Sequence, residues 1–596
     1  MPDSGAYNAA GKYDMSGVPR QPTAYEQEIV NETLQEFAQL QVYRHTFAAH
    51  WEEVAELILP TSRNTFEYGT FNWQGQKKTD RQVDATGMMA LSKFASICNS
   101  LLTPKNMIWH GLRADDDYVM KDRATKLWFE QATKILFALR YAQYSGFAGQ
   151  ITDCYTQLGA FGTKGLFIDE FDTTQHPYQQ GIRYKSIPLG ELFIRENHQG
   201  IVDGFCRWFR LTAMQTYQKW GKERFPPTLK PALEKNSQQL YDFVHRVCPR
   251  SDYDPDRLDA RGKPWASYYV SLTDKILLSE GGYRKFPAAI SRYAQTPGET
   301  YGRSPAMMVL PSLKTLNAEK RTFLKAGHRA ADPVLLTTDD GLVDPSLRPG
   351  ALNKGGMSAD GKPLIGTIPV GKIEITKEMM AEERALIEDA FLVNLFQLAL
   401  NLKDLPQMTA TQVIEITNQK GILLAPTVGN QEDDLGHMIE RELDVAMAIG
   451  AFRNYPMPPR LKEARGAYKV VYTSPLSKAA RAQNAAGFMR SVEFSKELIN
   501  ITQDPSHLDW ANFDVAMPEM ADIAGVLPSW TASNEEIAKK RKARADAIAK
   551  QQQIQAMPAQ AAMIKANAAA AKAGQVPPGQ LPAEGGPPLA QQLQGA

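Results

Sequence analysis

The chain has 596 residues, room for about four cores of ordinary domain size. Its 67 Lys and Arg against 66 Asp and Glu leave a net charge of +1, which excludes a domain that grips nucleic acid over its whole surface and an acidic solvating chain alike. Four scattered cysteines (Cys98, Cys154, Cys206, Cys248) without a CxxC pair exclude a disulfide scaffold or zinc knuckle and point to a reducing compartment.

Residues 1–24 are rich in Gly, Ser, Pro and Tyr, with no apolar run of the secretory kind, and are expected to form a flexible arm. Order starts at Thr23, which with Glu26 makes a T-x-x-E capping box ahead of a long helix. In it Phe37, Leu40, Phe47, Trp51, Val54 and Ile58 keep helical spacing until Pro60. A second helix carries Leu91, Phe94, Cys98 and Leu102 on one face, and a third covers about 122–141. From Gly159 the pattern turns to strands, at 166–169, 182–187, 192–195, 205–211 and 243–247, then a hairpin of 265–272 and 275–279. The first half therefore reads as α+β.

Ser304-Pro305 starts the next helix, which Pro311 kinks or restarts and Asp332-Pro333 stops. Residues 333–371 hold five Pro and seven Gly among short β-forming runs. So long a structureless loop is unusual in a compact domain, and a small β-rich insertion between two helices is expected. The second of these helices runs from about 377 to 400, charged at first and apolar on every side in AFLVNLFQLAL. Such a segment must be covered all round, by a deep monomer core or by neighbouring subunits. It is also far shorter than the ~20 residues of a membrane span. Pro406 breaks the chain, Thr409-x-x-Gln412 caps a new helix, and 432–449 is helical again. A short strand is expected at 468–472, helices to about 530, and a last helix capped by Ser533-x-x-Glu536 that ends near Pro558 or kinks there. The Ala-, Gln- and Pro-rich end, 574–596, is expected to be disordered.

A search for chemistry finds little. Gly356-Met-Ser-Ala-Asp-Gly-Lys362 has P-loop spacing, but Pro363 stands where a magnesium-binding hydroxyl is needed, so a glycine-rich turn is the better reading. Asp115-Asp116-Asp117 lacks the Gly and terminal Glu of a calcium loop and reads as a solvated turn. No zincin helix or G-x-S-x-G is present. No catalytic, cofactor or metal residue is assigned. The densest cations are Lys539, Lys540, Arg541, Lys542 and Arg544, an exposed helix face or a surface for phosphates.

Several stretches in order then resemble the head-to-tail connector, or portal, proteins of short-tailed bacteriophages. They are Arg44 with Trp51-Glu-Glu-Val-Ala-Glu-Leu-Ile-Leu-Pro60, Asp84-Ala-Thr with Ser100-Leu-Leu-Thr-Pro104, and Glu299-Thr-Tyr-Gly-Arg-Ser-Pro305. Met408-Thr-Ala-Thr-Gln-Val413 is the best single mark, with Gln412 where the family usually has Glu, and Val471-Tyr-Thr-Ser-Pro-Leu476 follows. The resemblance implies a helix-dominated α+β ring subunit: a wing at 25–303, stem helices at 304–331 and 377–402, a clip at 332–376, a tunnel loop and return helix at 403–460, a crown at 461–532 and a barrel helix at 533–573.

It also implies a structural, non-enzymatic role. The family forms rings, usually of twelve copies, at one capsid vertex of the virion, through which double-stranded DNA is packaged and ejected. Terminase, tail adaptor, capsid and internal core or ejection proteins would be the partners, with no membrane, and assembly would take place in the host cytoplasm. Asn401, Lys403, Asp404, Gln407 and Met408 would face DNA in the tunnel loop. Phe391, Leu392, Leu395 and Phe396 would pack the stem between subunits. Asp339, Asp340, Asp344, Arg348 and Lys354 would serve clip docking. The alternatives are a DNA-processing enzyme using the acidic turn or the Gly-rich stretch, and a structural adaptor without a channel.

Overall fold

The protein is described by a computed structural model. The structure describes residues 22–572 except 69–74, 117, 172–179, 338–345, 347, 349, 353–355, 359, 364, 368–372, 394–430, 464–467, 473–474, 505, 507–508, 514–515, 518–519, 521–529 and 531–533. It falls into two compact units, 1–525 and 526–596.

The first unit opens with α1 (Ala24–Leu57), capped by Thr23 and Glu26 in the expected reciprocal pair. Next come α2 (Thr86–Leu102), β1 (His110–Ala114), α3 (Arg123–Arg140) and α4 (Phe147–Phe161). Strands β2 (Thr163–Glu170), β3 (Ile182–Ile187), β4 (Leu192–Glu196) and β5 (Val202–Thr212) follow. Short helices α5 (Ala213–Trp220) and α6 (Lys230–Glu234) precede β6 (Leu240–Pro249), β7 (Trp265–Ser271), β8 (Ile276–Tyr283) and β9 (Ala288–Arg292). Two antiparallel sheets result, one ordered β3-β2-β9 and one β4-β5-β6-β7-β8. The β7–β8 hairpin matches its expected position, with Tyr268 opposite Glu280.

Gly162 ends α4 at φ +77. A Cβ there would lie 2.4 Å from the carbonyl oxygen of Gly302, and one on Gly302 would lie 2.3 Å from that of Gly162. Two glycines thus let the start of β2 cross the chain entering the stem at backbone contact, a distance no side chain permits.

The segment expected as the first stem helix follows as α7 (Pro305–Met308) and α8 (Leu310–Ala331). Ser304 caps the first, and Pro311 restarts the helix. The insertion is β-containing as expected, a two-stranded antiparallel pair of β10 (Leu335–Thr337) and β11 (Ile365–Thr367). The returning helix, α9 (Ile373–Ala390), differs from expectation at both ends. It starts three residues before Thr376, and after Ala390 the chain turns, with Leu392 at φ +59. The expected helix to 402 is thus broken at 391–392 by a left-handed residue, and 394–402 lie outside the described residues.

Helix α10 (residues 431–448), α11 (Pro459–Glu463), β12 (Tyr468–Tyr472) and α12 (Pro475–Thr502) complete the unit. The expected boundary at 461 is not one in the structure. Leu461 is fully buried in the core that holds Trp109, Leu136 and Ile439, and β12 pairs antiparallel with β1. Of the second unit, α13 (Asn534–Lys572) is described. Its 39 residues run through Pro558 and reach about 58 Å at ~1.5 Å per residue.

Candidate functional site: the stem and its anchorage

The stem grows directly out of the core of the first unit. Leu310, Leu313 and Leu316 of α8 and Met380 and Ile387 of α9 are buried with Trp51, Phe94, Phe161 and Tyr301 in one apolar cluster. Gly87 on α2 allows that approach, since a Cβ there would meet Leu313 Cδ2 at 2.7 Å. Polar contacts fix the angle of the hairpin. Asn317 Oδ1 accepts from the Val83 amide at 2.8 Å, and Lys314 pairs with Glu53 at 2.7 Å. On the other helix Arg384 pairs with Asp84 at 2.7 Å, and Lys93 with Glu388 at 3.4 Å. The Arg384 and Thr86 donors together hold the Asp84 carboxyl below its usual pKa, although burial works against them.

Further out, the cover falls away. From Arg321 to Ala331 no residue of α8 is buried, and Leu324 of α8 and Met379 and Leu386 of α9 expose 42%, 49% and 50% of their surface. Val334, Leu336, Leu352 and Met357 of the insertion are exposed as well.

Two buried arginines hold the framework behind the stem. Nη1 of Arg44 donates to the carbonyls of Leu189, Gly190 and Leu192, each at 3.0 Å, and Nη2 to that of Phe66. The guanidinium lies 3.8 Å from the Phe193 ring centroid, and burial lowers its pKa to about 10. A cation thus ties α1 to the start of β4 through backbone oxygens alone. Arg140 ties α3 to α10, the helix that follows residues 394–430. It pairs with Glu442, bonds His110 Nδ1 at 3.1 Å and stacks 4.5 Å from the Trp109 ring centroid. Tyr184 on β3 donates to the same carboxylate at 2.6 Å. All four polar side chains are fully buried. Burial opposes the Arg140 charge, but Glu442 and Tyr184 lift its pKa above the ordinary value, while burial and then Arg140 push His110 far below its own. Nearby, burial raises Asp434 to about 6 despite the Ser291 hydroxyl and Lys164.

Residues 30–530 match the model of the family described as bacteriophage head to tail connecting protein. The chain belongs to that family. It is 27% identical over 558 residues to a probable portal protein of Bordetella phage BPP-1, covering 91% of this chain and 95% of that one. Identity to the portal protein of Salmonella phage epsilon15 is 26% over 523 residues, 86% of this chain and 90% of that one. Among solved structures, a chain from the virion of a native gene transfer agent particle is 12% identical over 68% of this chain and 84% of that one, with a TM-score of 0.32.

In the connector, the residues singled out from sequence fall in different places. Asn401, Lys403, Asp404, Gln407 and Met408 lie outside the described residues, as do Leu395, Phe396, Asp339, Asp340, Asp344 and Lys354. Arg348 is exposed in the insertion. Phe391 is fully buried against its own chain, edge-on to Phe94 at 6.1 Å, and Leu392 is half-buried. Lys539, Lys540, Arg541, Lys542 and Arg544 are exposed along α13 of the second unit.

The Gly-rich stretch is a tight reversal. Ser358 N donates to the Lys362 carbonyl at 2.9 Å, Gly361 sits at φ +74, and Met357 bridges Pro363. The described amides of Ser358 and Gly361 are thus both spent on carbonyls of the same turn. Asp116 Oδ1 accepts from the Tyr118 amide at 2.8 Å, an ordinary turn bond. Among the described residues no helix is long and apolar enough to cross a membrane. Sequence reasoning missed both arginine anchors as a site, although Arg44 stands in the first stretch that carries the family resemblance.

Proposed function

We propose that the chain is the repeating subunit of a ring-shaped connector at one capsid vertex, a conduit for double-stranded DNA during packaging and ejection. The observation that carries the reading is the unbroken family match over residues 30–530, shared with relatives named portal protein. The stem supports it physically: two helices rooted in the core, with no residue of α8 buried from Arg321 to Ala331 and with Leu324, Met379 and Leu386 exposed, offer what a ring neighbour would bury.

The part is passive and non-enzymatic. The ring supplies a hole and a platform, and the energy of packaging comes from a separate terminase. The ring would hold about twelve copies, with Asn401, Lys403, Asp404, Gln407 and Met408 narrowing the channel and Leu392, Leu395 and Phe396 packing between subunits. The insertion, with Asp339, Asp340, Asp344, Arg348 and Lys354, would dock terminase and then the tail adaptor. Capsid and internal core or ejection proteins complete the partners, and Lys539, Lys540, Arg541, Lys542 and Arg544 would face DNA from the barrel helix. The subunits would assemble in the host cytoplasm. A net charge of +1 suits a conduit, since many Lys and Arg contacts to phosphate, repeated around a ring, would hold the duplex still.

Negative-stain microscopy of the purified full chain tests the proposal. Rings with a central hole are the expected result, and monomers or solid particles at every concentration would overturn it.

A further inference from the structure

The two stem helices differ sharply in charge. Helix α8 carries five Lys or Arg to one Glu, and α9 carries six Asp or Glu to two cations. On α8 the exposed positions Lys314, Ala318, Arg321, Lys325 and Arg329 recur at three- and four-residue intervals, one continuous basic stripe beside the exposed Leu324. On α9 the exposed Glu378, Glu382 and Leu386 make an acidic stripe beside Met379. The two stripes do not neutralise each other within the chain. Among the described residues no ion pair joins α8 to α9: Lys314 turns to Glu53, Arg384 to Asp84 and Glu388 to Lys93, while Lys325, Arg329, Glu378 and Glu382 make none. The one acid of α8, Glu319, has its carboxyl pushed up first by burial and then by Glu383 of α9.

The inner part of the α8 stripe is met by its own chain, Lys314 by Glu53 and Arg321 by the Arg81 carbonyl. The outer part, Lys325 and Arg329 beside bare Leu324, has no ion pair there among the described residues and fits a surface of opposite sign. This chain supplies that surface on its other stem helix. We infer that neighbouring copies meet head to tail through the stem, the basic stripe of α8 (Lys325, Arg329 and Leu324) against the acidic stripe of α9 (Glu378, Glu382, Met379 and Leu386) of the next copy. The contact is heterologous, so each copy offers both faces, and a rotation between copies that divides a full turn evenly closes the chain of contacts into a ring. The same charges disfavour two copies meeting through identical faces, since basic would then meet basic. This inference rests on the ring reading above and adds which faces meet.

Charge exchange between copies tests it. One variant, K325E/R329E, has two acidic stripes; the other, E378K/E382K, has two basic ones. All four side chains are exposed or unpaired, so each variant is expected to keep the parent's circular dichroism and melting behaviour. Alone, each should lose rings by about tenfold or more at ~0.1 M salt, because a weak loss repeats at every contact. Mixed in equal amounts, the two should form rings again, since every α8 then finds an α9 of opposite sign in its neighbour. Rings counted by native mass spectrometry and microscopy give the answer. Rings from both variants alone would overturn the pairing and leave the ring reading intact. No rings from the mixture, with rings from the combined variant K325E/R329E/E378K/E382K, would place the attraction inside one chain and overturn it too. No rings from the unaltered chain would overturn the ring reading and the pairing together.

Discussion

Replacing Glu442 with Gln removes one charge from the most enclosed part of the connector and changes little else. The Arg140 guanidinium would keep its place over Trp109 and beside His110, but no anion would face it. His110 offers no compensation: burial and the adjacent cation hold it neutral, and a neutral ring supplies no counter-charge. Breaking a buried ion pair from one side costs about 3–5 kcal/mol. Gln can still accept from Tyr184 and Arg140, which puts the cost near the lower end, ~3 kcal/mol. Arg140 and Glu442 join α3 to α10, so the loss should appear first as easier opening of residues 431–448. At about 1.4 kcal/mol per tenfold, amide hydrogen exchange in that helix should speed up roughly a hundredfold. The double variant R140M/E442L, which buries no charge, should recover most of the protection. Exchange in E442Q within threefold of the parent would refute the argument.

Asp434 gives a pH signature. Burial raises its pKa from 3.8 to about 6 in the folded chain, so the native state holds the proton more tightly than the unfolded state. Its stabilising contribution is then complete below pH ~4 and is lost as pH rises through ~6, a swing of about 3 kcal/mol. Urea titrations of the parent and of D434N across that window should differ by that slope, and parallel curves would contradict the assignment. Arg44→Lys should cost about 2–3 kcal/mol in urea, because a compact ammonium cannot reach the four carbonyls that the planar guanidinium serves. An unchanged midpoint would mean the fork is dispensable.

What could be read in advance follows from the range of the forces involved. The Thr23 capping box, the Ser304-Pro305 start and the strand 468–472 are local patterns, and each stands where residue order alone places it. The break at Leu392 was not legible: the apolar run from Phe391 continues the helical pattern, and only packing against Phe94 and its surroundings selects a left-handed turn. Strand β1, His110-Gly-Leu-Arg-Ala, has no β-branched residue and owes its conformation to β12. Helix α4 hid behind Gly146, Gly149 and Gly159, although Gly146 is its cap and Gly159 makes room for Phe94. The buried Arg140 and Glu442 were invisible for another reason. A charged residue on a helix reads as solvated until the element that buries it is known.

The pairing of His110–Ala114 with Tyr468–Tyr472 sets an order of events in synthesis. The stem, the insertion and residues 394–430 all lie between these strands in the chain. At ~5–20 residues per second, the ribosome needs roughly 20–70 seconds to deliver the second strand after the first. Until then β1 presents an open edge, a template for pairing with the wrong chain. Helices α8 and α9 emerge before β12 can complete that pair, so the exposed Leu324, Met379 and Leu386 are displayed while the body of the subunit is still unfinished. Whatever keeps chains apart during that interval therefore bears on the yield of correct rings as directly as the contacts within them.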